Sequence, residues 1–175
     1  MTRYNDPGWA RRRGRTLLEM ILVICAGMAI IAGGLMLFLQ AQASLQTYQM
    51  TNAVTGMVAD LQKVAADEGY FRIGTSMVIQ RGIFDEFMIS GDRIVSPLGT
   101  EIEVVTPPPF NSFTVILHDL PGPACRKILG SDNTMLGDEL GAVSLSANDI
   151  IIPVKQAHAG VCRPEGGNRL AITYR

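Results

Sequence analysis

From Met20 to Leu39 the chain passes through 20 residues of which only Gly27, Gly33 and Gly34 fall outside the hydrophobic set, and no Asp, Glu, Lys or Arg occurs between Glu19 and Asp60. A helix rises about 1.5 Å per residue, so such a run matches the roughly 30 Å hydrocarbon core of a bilayer. Beyond Gln40 the pattern changes from continuous to periodic. Met50, Ala53/Val54, Met57/Val58, Leu61 and Val64/Ala65 recur at three- and four-residue steps, which predicts an amphipathic helix with one buried stripe. Gly69, just after Asp67-Glu68, supplies the C-terminal cap signal. The two patterns join into one predicted helix over residues 16–66, about 75 Å long, half of it bare and half packed on a domain.

After that helix the pattern shortens. Residues 70–92 read as a loop with one or two short helices, and Ser96-Pro97-Leu98-Gly99 reads as a turn. Thr100 to Thr106 alternates Ile102 and Val104 against Glu101 and Glu103, Pro107-Pro108-Pro109 breaks the run, and Ser112 to Leu117 gives a second strand. Their closeness in sequence predicts antiparallel pairing. Pro121-Gly122-Pro123 opens a short helix through Leu129, and residues 130–149 are polar and loop-like. Ile150 to Val154 and Leu170 to Tyr174 read as two last strands, with Gly166-Gly167-Asn168 as a hairpin turn. The expected fold class is α+β, a long N-terminal α-helix packed on an antiparallel β-sheet.

Composition sharpens this picture in one place. The 175 residues are 47% hydrophobic and only 18% charged, with a mean hydropathy of +0.22, and the apolar run carries the excess. A net charge of -1 argues against a strongly basic nucleic-acid binder, so no nucleic-acid partner is expected. The charge is uneven: within residues 1–15, Arg3, Arg11, Arg12, Arg13 and Arg15 stand against Asp6 alone. Basic flanks stay on the cytoplasmic side, which places the carboxyl-terminal portion outside. The run exceeds the 7–15 residues of a cleavable signal core and so favours an anchor. Ala41-Gln42-Ala43 keeps a rival open, since signal peptidase could cut there and release a soluble product starting at Ser44.

The junction reads Arg11-Arg12-Arg13-Gly14-Arg15-Thr16-Leu17-Leu18-Glu19-Met20, with a carboxylate at the edge of the apolar run. Ionisable groups at membrane depth cost several kcal/mol and are usually there for a partner or a pathway. This junction resembles the type IV pilin family, whose precursors carry a basic leader ending in Gly and a Glu at the fifth position after the cut. Gly14 and Glu19 match those positions, whereas Arg15 stands where the family usually has an apolar residue. The longer domain, the Ser96–Gly99 turn and the strand after Cys162 look most like the type IVb group, including pilins of conjugative thin pili.

The resemblance implies a leader of residues 1–14 and cleavage between Gly14 and Arg15 by prepilin peptidase, followed by N-methylation. It further implies a transmembrane and polymerisation helix over 15–39 and an extracytoplasmic pilin domain over 40–175. The implied partners are the chain itself in a helical homopolymer, a cytoplasmic assembly ATPase with a membrane platform protein, and an outer-membrane secretin. The protein would sit in the inner membrane before assembly and in an extracellular pilus afterwards. A minor pilin or pseudopilin of a secretion system, or an anchored periplasmic binding or adhesion domain that never polymerises, remain as alternatives.

Glu19 is the candidate for assembly register, pairing with the amine that cleavage creates on a neighbouring subunit, because a charge in apolar surroundings is tolerable only when paired. Cys25, Ala29 and Gly33 fall at i, i+4 and i+8 as a small-residue stripe for helix packing. Cys25 lies inside the apolar run, which leaves Cys125 and Cys162 as an even pair for a disulfide in an oxidising compartment. His118 and His158 stand at no ligand spacing from the cysteines. The expectation is therefore assembly, not enzymatic turnover, with no cofactor and no metal.

Overall fold

A computed structural model describes residues 10–83, 88–130 and 140–175, with the side chains of residues 10–16, Gln40 and Ala43 left aside. By its contacts the chain divides into a first unit ending at Gln42 and a second, Ala43–Arg175. The helix α1 comprises Ala10–Glu68.

In the second unit the amphipathic stripe falls where its period puts it. Met50, Val54, Met57, Val58, Leu61 and Ala65 are buried and share one core cluster with the inner face of the sheet. Each large side chain removed from water there contributes about 1.5–3 kcal/mol. Helix α1 stops as expected. Gly69 takes φ 79°, a conformation open to glycine, and its N–H donates to the Ala65 carbonyl at 3.0 Å. A single 3-10 turn, Tyr70–Arg72, and the short helix α2, Thr75–Gln80, follow. The hydroxyl of Thr75 accepts from the Val104 N–H at 2.9 Å and that of Thr106 donates to the Ile73 carbonyl at 2.8 Å, fastening this connection to the sheet.

The sheet has seven strands: β1 (Ile89–Ser90), β2 (Arg93–Val95), β3 (Glu101–Val105), β4 (Phe113–Leu120), β5 (Ala142–Ala147), β6 (Ile150–Ile152) and β7 (Asn168–Tyr174). Their order is β1-β2-β3-β4-β7-β5-β6, with antiparallel pairing at every junction. The C-terminal strand thus closes the middle of the sheet. Register lines up the buried face: Ile102 opposes Leu117, Val104 opposes Val115, Val115 opposes Ile172 and Ile172 opposes Leu145. Phe113 stacks on Tyr70 and on Tyr174, at 6.4 and 5.6 Å between ring centroids, and burial pushes the Tyr174 phenol up. The predicted alternation of Ile102 and Val104 against Glu101 and Glu103 is observed.

Three readings of the sequence need correction. Residues 70–92 do not hold loop and helix alone, because β1 and β2 make a hairpin across Gly91-Asp92, with Ser90 opposite Arg93. The stretch 130–149 is not all loop, since Ala142–Ala147 forms β5. Asn148-Asp149, with φ 51° and 66°, then makes the two-residue turn into β6 that a right-twisted hairpin favours. Gly166-Gly167-Asn168 is not a hairpin turn, because β7 pairs with β4 and β5 and not with β6, the strand before it. The strands β1 and β2 have only two or three residues each, and in β5 the neighbouring Val143 and Ser144 are both exposed, so the hydrophobic pattern that marks a strand is faint there.

Candidate functional site

The first candidate region is the apolar half of α1. Every large hydrophobic residue from Leu17 to Leu39 is between 49% and 75% exposed. Soluble monomers rarely show an apolar patch beyond a few hundred Å², so this surface demands lipid or protein around it. The segment is long and apolar enough to cross a membrane. Glu19 is exposed at its beginning, and among the described residues its carboxylate meets no cation. Cys25 is a free, exposed thiol, and Ala29 and Gly33 are exposed with it at helical i+4 spacing. A side chain built at Gly33 would meet nothing within 4 Å. The side chains at the predicted cleavage point, Gly14 and Arg15, lie outside the described residues.

The second region is bounded by a disulfide, which joins Cys125 to Cys162 as the cysteine count predicts. Cys125 lies on α3 (Gly122–Ile128). Gly122 permits the closest approach in this region, because a Cβ there would sit 2.5 Å from the Pro164 carbonyl oxygen and 2.7 Å from that of Arg163. Any larger residue would push α3 away from the loop that carries Cys162. At the far end of α3, the Lys127 ammonium donates to the Ser44 hydroxyl at 2.8 Å and the Ser44 carbonyl at 3.3 Å, joining the disulfide region to α1.

Asn168 is the polar centre of this region, and pattern reading missed it by assigning it to a turn. Its side chain is buried and uses its full donor and acceptor set. The amide nitrogen donates to the carbonyls of Leu120 and Arg163 at 3.1 and 3.0 Å. The amide oxygen accepts from the Arg163 N–H at 2.7 Å and from the Asn148 side chain at 3.0 Å. Asn148 in turn donates to the Val161 carbonyl at 3.0 Å and accepts from the Arg169 N–H at 3.1 Å. One amide therefore joins the end of β4, the Cys162 loop, the β5–β6 turn and the start of β7. Replacing it by Asn168→Asp sets an acceptor against two carbonyls. The expected loss is about 1–3 kcal/mol, read as a lower midpoint in chemical denaturation with an unchanged slope.

Among the described residues, no three His, Cys, Asp or Glu stand together as a metal-binding group. His118 faces Glu103 across β3 and β4 at 3.0 Å, and the irregularity in β4 that follows, with Asp119 at φ 52°, separates it from the next paired residue, Leu120. His158 bonds the Gln156 carbonyl at 3.0 Å. Compared with known proteins, the chain matches no family model and no curated protein.

Proposed function

We propose that this chain is a type IV pilin-like subunit, most like the type IVb group, whose work is assembly and not turnover. The observation that carries this reading is the apolar surface of Leu17–Leu39, exposed along its whole length and preceded by the basic leader with Gly14 and Glu19 at pilin spacing. An α+β domain of helix on antiparallel sheet, closed by a disulfide, supports it. Fifteen large apolar side chains lie on that surface, and lipid tails and the helices of other copies satisfy them about equally well. Moving a subunit from membrane to filament is then nearly neutral in hydrophobic free energy. Extraction is driven from outside, by the cytoplasmic ATPase and platform protein that such systems use.

Within the filament Glu19 neutralises the amine that cleavage frees on Arg15 of a neighbour, and the pair sets the axial register. A minor pilin or secretion pseudopilin shares every one of these features. A released periplasmic domain is the reading from another class, supported by Ala41-Gln42-Ala43 standing where the two units divide. Mass spectrometry of the amino-terminal peptide from cell envelopes separates them. A start at Arg15, N-methylated, is the expected result, whereas a start at Ser44 gives a soluble product and retention of Met1 gives a plain anchor.

A further inference from the structure

Two apolar features stand exposed on the surface of the second unit among the described residues. Phe71, in the 3-10 turn after α1, is 74% exposed, and Phe110, in the loop between β3 and β4, is 44% exposed. Their rings meet edge to face at 5.4 Å, flanked by the exposed Pro107, Pro108 and Pro109. Phe110 is held at φ 62°, a conformation costly for a bulky residue, with its N–H bonded to the Pro107 carbonyl at 3.0 Å. The loop thus holds a phenyl ring in water at a cost in backbone energy. The second feature is a groove of about 600 Å³ whose lining includes Leu45, Tyr48, Asn52, Met88 and Pro97. Leu45 and Tyr48 are 56% and 60% exposed, so apolar exposure on α1 continues beyond Leu39 into this groove.

Along α1 the groove and the knob stand about 30 Å apart, the rise of the 20 residues from Tyr48 to Glu68. They cannot meet within one molecule. We propose that the Phe71–Phe110 knob of one copy seats in the Leu45–Tyr48 groove of another, a head-to-tail contact between subunits of the filament. This rests on the pilin-like reading above.

Continuity along α1 argues for a second copy as occupant. Where the apolar helices of neighbouring copies run side by side, the residues just past Leu39 face those same copies. Area argues in the same direction. Two phenylalanines bury roughly 300–500 Å², hence roughly 600–1,000 Å² over both partners, short of the about 1,200–2,000 Å² of a stable stand-alone interface. The contact therefore holds only where the apolar helices already bring copies together. Being heterologous, with knob and groove at different heights, it propagates as an open helix and closes no dimer.

The test places one cysteine on each side, Phe71→Cys and Asn52→Cys, in the otherwise unsubstituted full chain. Filaments sheared from cells are oxidised and run on a non-reducing gel. The double variant is expected to give a ladder of covalent multimers, with either single variant giving monomer. A second measurement, Phe71→Lys, is expected to lower filament yield at least tenfold while the thermal midpoint of the protein is unchanged. Filaments of the double variant that run only as monomer, with full yield from Phe71→Lys, overturn the contact and leave the pilin-like reading standing. An unsubstituted chain without filaments overturns the contact and the reading together.

Discussion

Glu19→Ala is expected to leave the protein made, inserted and folded while filament yield in sheared fractions falls by two orders of magnitude or more. The second unit is built without Glu19, whose side chain lies exposed, far in sequence from the core residues Met50 to Tyr174. In the proposed filament the same position would be surrounded by the apolar side chains of neighbouring copies. Removing one partner of a buried ion pair leaves the other charge unpaired, at about 3–5 kcal/mol, and each 1.4 kcal/mol is a factor of about ten in a subunit-addition equilibrium. Glu19→Gln keeps the shape and loses the charge, so it is expected to fail nearly as badly. The measurement is electron microscopy and immunoblotting of sheared fractions beside the membrane content of the same cells. Wild-type filament yield from Glu19→Ala cells, at equal membrane content, removes Glu19 from assembly.

Cys125→Ser with Cys162→Ser is expected to lower the stability of the second unit by about 4 kcal/mol, the chain-entropy value for a closed loop of this size, the cysteines being separated by 37 residues. For a unit of this length that corresponds to a fall of roughly 10–15 °C in thermal midpoint, read by circular dichroism on the detergent-solubilised chain. The effect has a definite location. Gly122 lets α3 lie against the backbone of Arg163 and Pro164, and Asn168 holds that same loop through both its N–H and its carbonyl. The disulfide and the amide thus fix one segment twice. Without the covalent bond the amide network remains, so the fold is expected to survive with the α3 and Cys162 loop region the first to exchange its amide hydrogens. An unchanged midpoint would show that the amide network alone holds this loop.

These two predictions differ in how far the sequence leads to them. Periodicity located α1, its buried stripe and its glycine end, because one apolar face at a 3.6-residue period is a strong signal over many turns. Alternation located β3, since Ile102 and Val104 go inward while Glu101 and Glu103 go outward. Cysteine count located the disulfide. The first hairpin is hidden because β1 and β2 have only two or three residues each, too few to show a period. In the second it is β5 that is hidden, because Val143 and Ser144 are both exposed and break its alternation, whereas the strand at Ile150 is legible. The two turns carried the information instead, in Gly91-Asp92 and Asn148-Asp149, which are two-residue hairpin signals. Asn168 was hidden for a different reason. A buried, fully bonded amide depends on four segments meeting in space, and a single asparagine after two glycines reads locally as a turn. Glu19 stands out in the sequence only because the residues around it are apolar, and its role in assembly remains the proposal that Glu19→Ala tests.

The sheared surface fraction offers the most direct test of assembly through the apolar helix. Electron microscopy of that fraction, with mass spectrometry of its main protein band, is predicted to show filaments built of a chain beginning at Arg15 with Leu17–Leu39 retained. A fraction without filaments, accompanied by a soluble periplasmic protein beginning at Ser44, would contradict it.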